Sequence, residues 1–188
     1  MSNGNVRSLN GETRTSETSP KGSTAEFDAV FLEHWQPICR VLMRLLGDLA
    51  EAEDLALEAF WQLYRRPLPN DGAQNVGGWL YRVATNLGLN ALRARKRRTQ
   101  HEAQAAQQEF EKSTVDAFDR VAAEEEQRRV RAVLSTLETR QAQLLLLRHS
   151  GMSYGEVATA LGVSPHSIGT LLARAEREFE KRYREKGE

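Results

Sequence analysis

Only one cysteine, Cys39, occurs in the 188 residues. No disulfide can therefore form within the chain, and a reducing cytoplasm is the expected setting. His34 and Cys39 have no second Cys or His at ligand spacing, so they read as packed side chains and no metal is expected. Nothing resembles a nucleophile–base pair or a phosphate-cradling loop; no catalytic residue or cofactor is proposed, and an enzyme is the poorest reading. No apolar run is long enough to span a bilayer, and the N-terminus lacks a signal-peptide core, so membrane insertion is not expected. A charge excess is also missing, with 26 Lys and Arg against 26 Asp and Glu. That balance argues against a uniformly basic nucleic-acid binder, although the charges are unevenly distributed along the chain. Aromatics are few, whereas Ala, Leu, Glu and Arg are plentiful. This composition favours an all-α protein.

Residues 1–22 are rich in Ser, Thr, Asn and Gly and carry no periodic apolar positions, as expected of a disordered tail. Ser23 and Glu26 form an S-x-x-E start, followed by Phe27, Val30, Phe31, His34, Ile38, Val41, Leu42 and Leu45 at helical spacing up to Gly47. Pro37 is placed to kink or split this helix. Asp48 is suited to cap a second helix reaching about Tyr64, with Leu55, Ala56, Ala59, Phe60 and Leu63 on its apolar side. Glu51, Asp54 and Glu58 form an acidic stripe with Glu53 beside it. Acids near a helix N-terminus can be a simply solvated, dipole-matched face or a docking surface for a basic partner, and the residues alone leave both readings open.

Two prolines and three glycines mark Arg65 to Gly78 as a loop. A helix then follows from about Asn75 or Val76, with Trp79, Leu80, Tyr81, Val83, Ala84, Leu87 and Leu92 on one side and Arg82, Thr85, Asn86, Asn90 and Arg93 on the other. Five of the six residues from Arg93 to Arg98 are cationic, more than a helix C-terminus requires. Aromatics beside Asn and Arg suit a single nucleic-acid strand, whose bases stack and whose phosphates pair with cations. From Glu102 to Glu126 eight acids face two bases, as in a solvated linker that could become helical in its second half.

The second module has apolar positions Val130, Val133, Leu134 and Leu137, then a helix that Thr139 is suited to cap, ending at Ser150-Gly151. Arg128, Arg129, Arg131, Arg140 and Arg148 make it basic and provide candidate phosphate contacts. Residues 152–177 then read as two helices and a tight turn. Ser153 and Glu156 form a capping box, Gly162 suits a left-handed helix end, and Ser164-Pro165 starts the next helix. The pattern fits an αα-hairpin within a helical core; the short turn and paired caps favour a DNA-binding helix-turn-helix. Its outward positions are His166, Ser167, Gly169, Thr170, Ala173, Arg174 and Arg177.

Three motifs in this order resemble the small, two-domain extracytoplasmic-function group of bacterial RNA polymerase sigma factors. The first is G-D-L-A-E-A-E-D-L-A-L-E-A-F-W-Q-L-Y, the second G-W-L-Y-R-V-A-T-N-L-G-L-N-A-L-R-A-R-K-R-R, and the third L-S-T-L-E-T-R-Q-A-Q-L-L-L-L-R continuing into the helix-turn-helix. The resemblance implies two small helical domains joined by a linker, the C-terminal one a four-helix domain with a helix-turn-helix. Residues 23–98 correspond to a region 2-like domain, 99–126 to the acidic linker and 127–188 to a region 4-like domain. It implies contacts to core polymerase from Glu51, Glu53, Asp54, Glu58 and Phe60. It assigns −10 DNA to Trp79, Tyr81, Arg82, Asn86, Asn90, Arg93, Arg95, Lys96, Arg97 and Arg98, and −35 DNA to Arg148, Ser164, His166, Ser167, Thr170, Arg174 and Arg177. Core RNA polymerase and promoter DNA are the implied partners; an anti-sigma factor is common in the family, and no residue identifies one here. Leu57 departs from the usual Gln of the family and Asn90 from a common Asp; Gly169, Leu171 and Glu176 replace frequently basic positions. A stand-alone helix-turn-helix regulator, or a sigma-like protein that titrates polymerase without initiating, are the rival readings.

Overall fold

The computed structural model describes residues 24–65, 76–105 and 118–186. The expected tail, most of the loop after Arg65 and the middle of the acidic linker lie outside these residues, as does Ser23 of the expected first cap. Among the described residues there are seven α-helices, one 3₁₀ turn and no strand.

The first helix, α1 (Thr24–Leu46), contains Pro37 and is nevertheless one helix. An interior proline costs about 3 kcal/mol. Ile38, Leu42, Leu45 and Leu46 immediately after it are almost completely buried, and each such side chain contributes about 1.5–3 kcal/mol, so the register is kept through the proline. Gly47 ends the helix at φ 74°, where a side chain would be strained and would also overlap the Arg131 guanidinium. Asp48 caps α2 (Leu49–Tyr64) as expected, its carboxylate accepting from the Glu51 amide at 3.0 Å. The buried stripe of α2 is Ala52, Ala56, Ala59, Phe60 and Leu63.

The third helix, α3 (Val76–Ala105), continues past Arg98 into the stretch read as linker. It crosses α1 closely at Gly88, where a β-carbon would lie 2.6 Å from Leu45 and 2.9 Å from Leu42. Phe118–Leu134 is α4, which starts inside the same acidic stretch; the change in composition at both ends of the linker does not coincide with a change in helicity. The next helix, α5 (Thr139–His149), has Glu138 at its N-cap position. Thr139 is therefore not the cap; its hydroxyl accepts from Arg93 at 3.0 Å instead.

The helix-turn-helix consists of α6 (Tyr154–Leu161), a 3₁₀ turn over Pro165–Ser167, and α7 (Ile168–Glu185). Both halves of the capping box form: Glu156 donates its amide to the Ser153 hydroxyl at 3.3 Å, and the Ser153 amide donates back to the Glu156 carboxylate at 2.7 Å. Gly162 closes α6 in the left-handed region, at φ 64°. Ser164 precedes the 3₁₀ turn, but its hydroxyl caps nothing; its carbonyl accepts from the amide and hydroxyl of Ser167. Hydrogen bonds from the Ser153 hydroxyl, then from its backbone, hold the Glu156 carboxyl below the usual carboxylate range. A carboxyl depressed on folding stabilises above its unfolded pKa, and that contribution disappears as pH falls through the folded value. Ser153→Ala is expected to lower stability by about 1 kcal/mol at neutral pH and to unfold more like the wild type in acid, as read by thermal melts across pH.

The first three helices pack around Ile38, Leu42, Leu45, Phe60, Leu80 and Leu89, and the same cluster continues into the second half through Leu134, Leu137, Ala142, Leu145, Leu146 and Ala175. A second cluster, of Leu144, Leu147, Val157, Ala158, Ala160, Leu161, Ile168 and Leu172, fixes the helix-turn-helix. Tyr81 of α3 touches both. The two helical halves are thus apposed, with α3 lying against α4, α5 and α6.

Candidate nucleic-acid and partner interface

On α2 the buried stripe turns Glu53, Asp54 and Glu58 outward, all three exposed. Glu51 is partly covered, and its carboxylate is bound by Arg95 at 2.6 Å; Arg95 also donates to the Leu46 carbonyl at 3.2 Å. A residue expected to contact polymerase therefore ties up one expected to contact DNA. Phe60 is a correction. It is 2% exposed and its ring lies 4.8 Å from Phe31 and 6.0 Å from Trp35, so it braces α2 from beneath and is covered by α1 rather than lying on the outer face. Sequence reading missed the apolar part of this face: Leu49, Leu57, Trp61 and Tyr64 are about half exposed. Glu53, Leu57 and Trp61 are one turn apart, and apolar residues at that spacing outside the buried stripe were the available signal. Cys39 is buried, and burial followed by the charge of Glu53 pushes its thiol pKa up, which suits a packed and unreactive side chain.

The polar side of α3 is less open than its sequence suggests. Arg82, Asn90, Arg95, Arg97 and Arg98 are exposed, while Trp79, Tyr81, Asn86, Arg93 and Lys96 are partly covered. Thr85, expected on the presented side, is fully buried; its hydroxyl donates to the Tyr81 carbonyl at 2.7 Å. The cover comes from the second half of the chain. Gln143 of α5, only 5% exposed, directs its amide at the Arg82 carbonyl, the Thr85 hydroxyl and the Asn86 side chain, at 3.2, 3.0 and 3.0 Å. Arg93 donates to the Ser135 and Leu137 carbonyls and to Thr139, at 3.3, 2.9 and 3.0 Å. Tyr81 is half-buried, and its phenol pKa is raised first by that burial.

The face of α7 is open. Ser164, His166, Gly169, Thr170, Ala173, Arg174 and Arg177 are exposed and Ser167 partly so, because Ile168, Leu172 and Ala175 point inward. Arg148 is exposed at one end, donates to the Met152 carbonyl at 3.2 Å and lies 5.6 Å from the Tyr154 ring. The basic residues expected to supply phosphate affinity to this half also make contacts within the protein. Arg129 lies 3.9 Å over the Tyr183 ring, Arg131 donates to the Arg44 carbonyl at 3.4 Å, and Arg140 donates to the Leu161 carbonyl at 3.3 Å. Arg128 pairs with Glu125 at 2.8 Å. These contacts engage carbonyl acceptors, a carboxylate and a ring of the protein itself.

An exposed acidic and apolar helix, a basic helix with aromatics, and a helix-turn-helix thus lie in one helical chain, in that order. Residues 30–98 match the family model for Sigma-70 region 2, and residues 127–179 that for Sigma-70, region 4. The chain belongs to the sigma-70 family. Among its curated relatives are the RNA polymerase sigma-H factor of Pseudomonas aeruginosa, 27% identical over 88% of this chain and 90% of the relative. Another is the ECF RNA polymerase sigma factor SigE of Mycolicibacterium smegmatis, 28% identical over 85% of this chain and 61% of the relative. The fold is similar to that of CnrH, solved with the cytosolic domain of CnrY: TM-score 0.53 and 19% identity, covering 85% of this chain and 88% of that one. The protein is a sigma factor of the extracytoplasmic-function group. Among the described residues of this sigma factor, no helix is long and apolar enough to cross a membrane.

Proposed function

We propose that this sigma factor docks on core RNA polymerase in the cytoplasm through the outer face of α2, and directs it to promoters through α3 and α7. The observation that carries the reading is the separation of roles in space. Glu53, Asp54, Leu57, Glu58 and Trp61 form one acidic, apolar-centred face, while His166, Thr170, Arg174 and Arg177 line another on a different helix. A stand-alone helix-turn-helix regulator has no use for the first face. Aromatic anchors among charges suit a protein interface with a basic partner. On α7, two guanidinium groups among small hydroxyl side chains suit phosphate and base-edge contacts in a major groove.

Along α3, Trp79, Tyr81, Asn86 and Asn90 would hold the opened non-template strand, and Arg97 and Arg98 its phosphates. The chain does no chemistry in this scheme; binding energy is converted into unstacking of bases. Run-off transcription with purified core enzyme tests it, and no message from any promoter, the protein's own included, would favour the titrating reading. Arg97→Ala with Arg98→Ala is expected to flatten the log–log salt dependence of promoter binding by about 1.5, since each phosphate contact accounts for about 0.7–0.9. An unchanged slope would remove these two side chains from the DNA surface.

An anti-sigma partner also belongs to the proposal. A groove of about 920 Å³ lies between α1, α4, α5 and α7, lined by Val41, Leu134, Leu145, Leu146 and Leu172 together with Arg44, Arg148 and Glu176. Its apolar lining suits an apolar segment of a regulatory protein.

A further inference from the structure

The groove between α1, α4, α5 and α7 has the features of a small-molecule site. Val41, Leu134, Leu145, Leu146 and Leu172 are each less than a tenth exposed, although they line a space of about 920 Å³. Apolar side chains on a flat patch would be far more exposed, so the space is deep and narrow. Such a shape suits a slender, flexible chain better than a helix about 10 Å across. The volume is that of a ligand pocket, roughly 300–1,000 Å³, and such pockets are mostly apolar with a few polar groups that fix orientation. Here the charged groups of the lining are the guanidiniums of Arg44 and Arg148 against the one carboxylate of Glu176. All three are exposed, and among the described residues none of them is in an ion pair. Arg44 donates to the His149 carbonyl at 3.1 Å and Arg148 to the Met152 carbonyl at 3.2 Å. Those bonds steady the two guanidiniums and leave their charge uncompensated.

We infer that this groove binds one molecule of a single-chain carboxylic acid of the fatty-acid class, its hydrocarbon among Leu134, Leu145, Leu146 and Leu172 and its carboxylate at Arg44 and Arg148. A monoanion complements two cations set against one acid, and a guanidinium matches a carboxylate in both charge and fork geometry. The two parts of the ligand do different work. Ion pairs at exposed side chains contribute little affinity, so the charge selects the head group. Burial of the hydrocarbon supplies most of the binding, at about fourfold for each methylene removed from water. The site is independent of the polymerase and promoter surfaces of α2 and α7. It shares the groove that suits a regulatory segment, so acid and segment compete for it.

The test is calorimetric titration of the full chain with octanoate, decanoate and dodecanoate, each kept monomeric. One molecule per chain is expected, with a Kd for dodecanoate on the order of 10–100 µM and affinity rising roughly tenfold for every two methylenes. Dodecyltrimethylammonium carries the same chain and the opposite charge, and is expected to bind at least about tenfold more weakly. Arg44→Gln keeps a donor for the His149 carbonyl but removes the charge; it is expected to narrow that preference to about threefold, with helical circular dichroism unchanged. Val130→Trp adds bulk at a partly buried lining position and is expected to abolish uptake. If it does not fold, the chain-length series and the charge comparison on the wild type still decide. No saturable binding of dodecanoate below about 1 mM overturns the site, as does binding of several molecules without regard to charge or chain length. Unchanged binding to a folded Val130→Trp overturns it too. Co-sedimentation with phosphatidylglycerol vesicles and no uptake of monomeric dodecanoate would give the groove to a lipid surface instead, against the inference.

Discussion

Asp54→Lys combined with Glu58→Lys is expected to reduce capture of core RNA polymerase by roughly 30- to 1,000-fold, while leaving helical content and melting temperature nearly unchanged. Both side chains are exposed and lie one turn apart on α2, so the protein can absorb the change at little cost to folding. Juxtaposing like charges across an interface costs several kcal/mol, and about 2–4 kcal/mol corresponds to that range of affinity. Trp61→Ala should add to the loss, since Trp61 offers a half-exposed indole beside those acids and Trp truncations are frequently among the largest at interfaces. The measurement is a titration of labelled protein with core enzyme. Capture within threefold of wild type for the double reversal would place the docking surface elsewhere and leave the acids as a solvated face.

Phe60→Ala is expected to lower the free energy of unfolding by about 3–5 kcal/mol, the largest stability effect of any single change considered. Phe60 joins α2 to α1 through Phe27, Phe31 and Trp35, with ring centroids 6.4, 4.8 and 6.0 Å away. Truncation removes both its own buried area and the edge contacts those rings make with it. Urea unfolding reads the loss directly. Phe60→Leu separates support from contact: it refills most of the volume and should retain polymerase capture, because the ring at this position faces the core. If Phe60→Leu folds normally but fails to bind polymerase, the ring does reach the partner despite its burial in the free chain.

Three local signals survived intact where one turn of chain contained both halves of the interaction, whereas the expected caps at Thr139 and Ser164 did not form. Asp48 with the Glu51 amide, Ser153 with Glu156, and Gly162 in the left-handed region are complete within a few residues, and each was readable before any packing was known. The stripes Ile38-Leu42-Leu45 and Ile168-Leu172-Ala175 were equally legible, because a 3.6-residue period is a property of the chain alone. Pro37 misled for the opposite reason. A proline's cost is local, whereas the burial that outweighs it is supplied by helices distant in sequence.

By itself, then, the order of residues determined an all-helical protein, the caps at Asp48, Ser153 and Gly162, its helix-turn-helix and the three motifs of a sigma factor. Charge and polarity along a helix could not say which groups would be spent inside the molecule. Arg129, Arg131 and Arg140 look like free cations and are engaged by neighbouring elements. Thr85 and Arg93 look presented and are covered, and Phe60 looks available and is core. Only the tertiary structure decided these, because hydrogen-bond partners 46 and 61 residues apart, Arg93 with Thr139 and Gln143 with Arg82, meet only once the two halves have packed. A side chain's function depends on what remains exposed after that meeting.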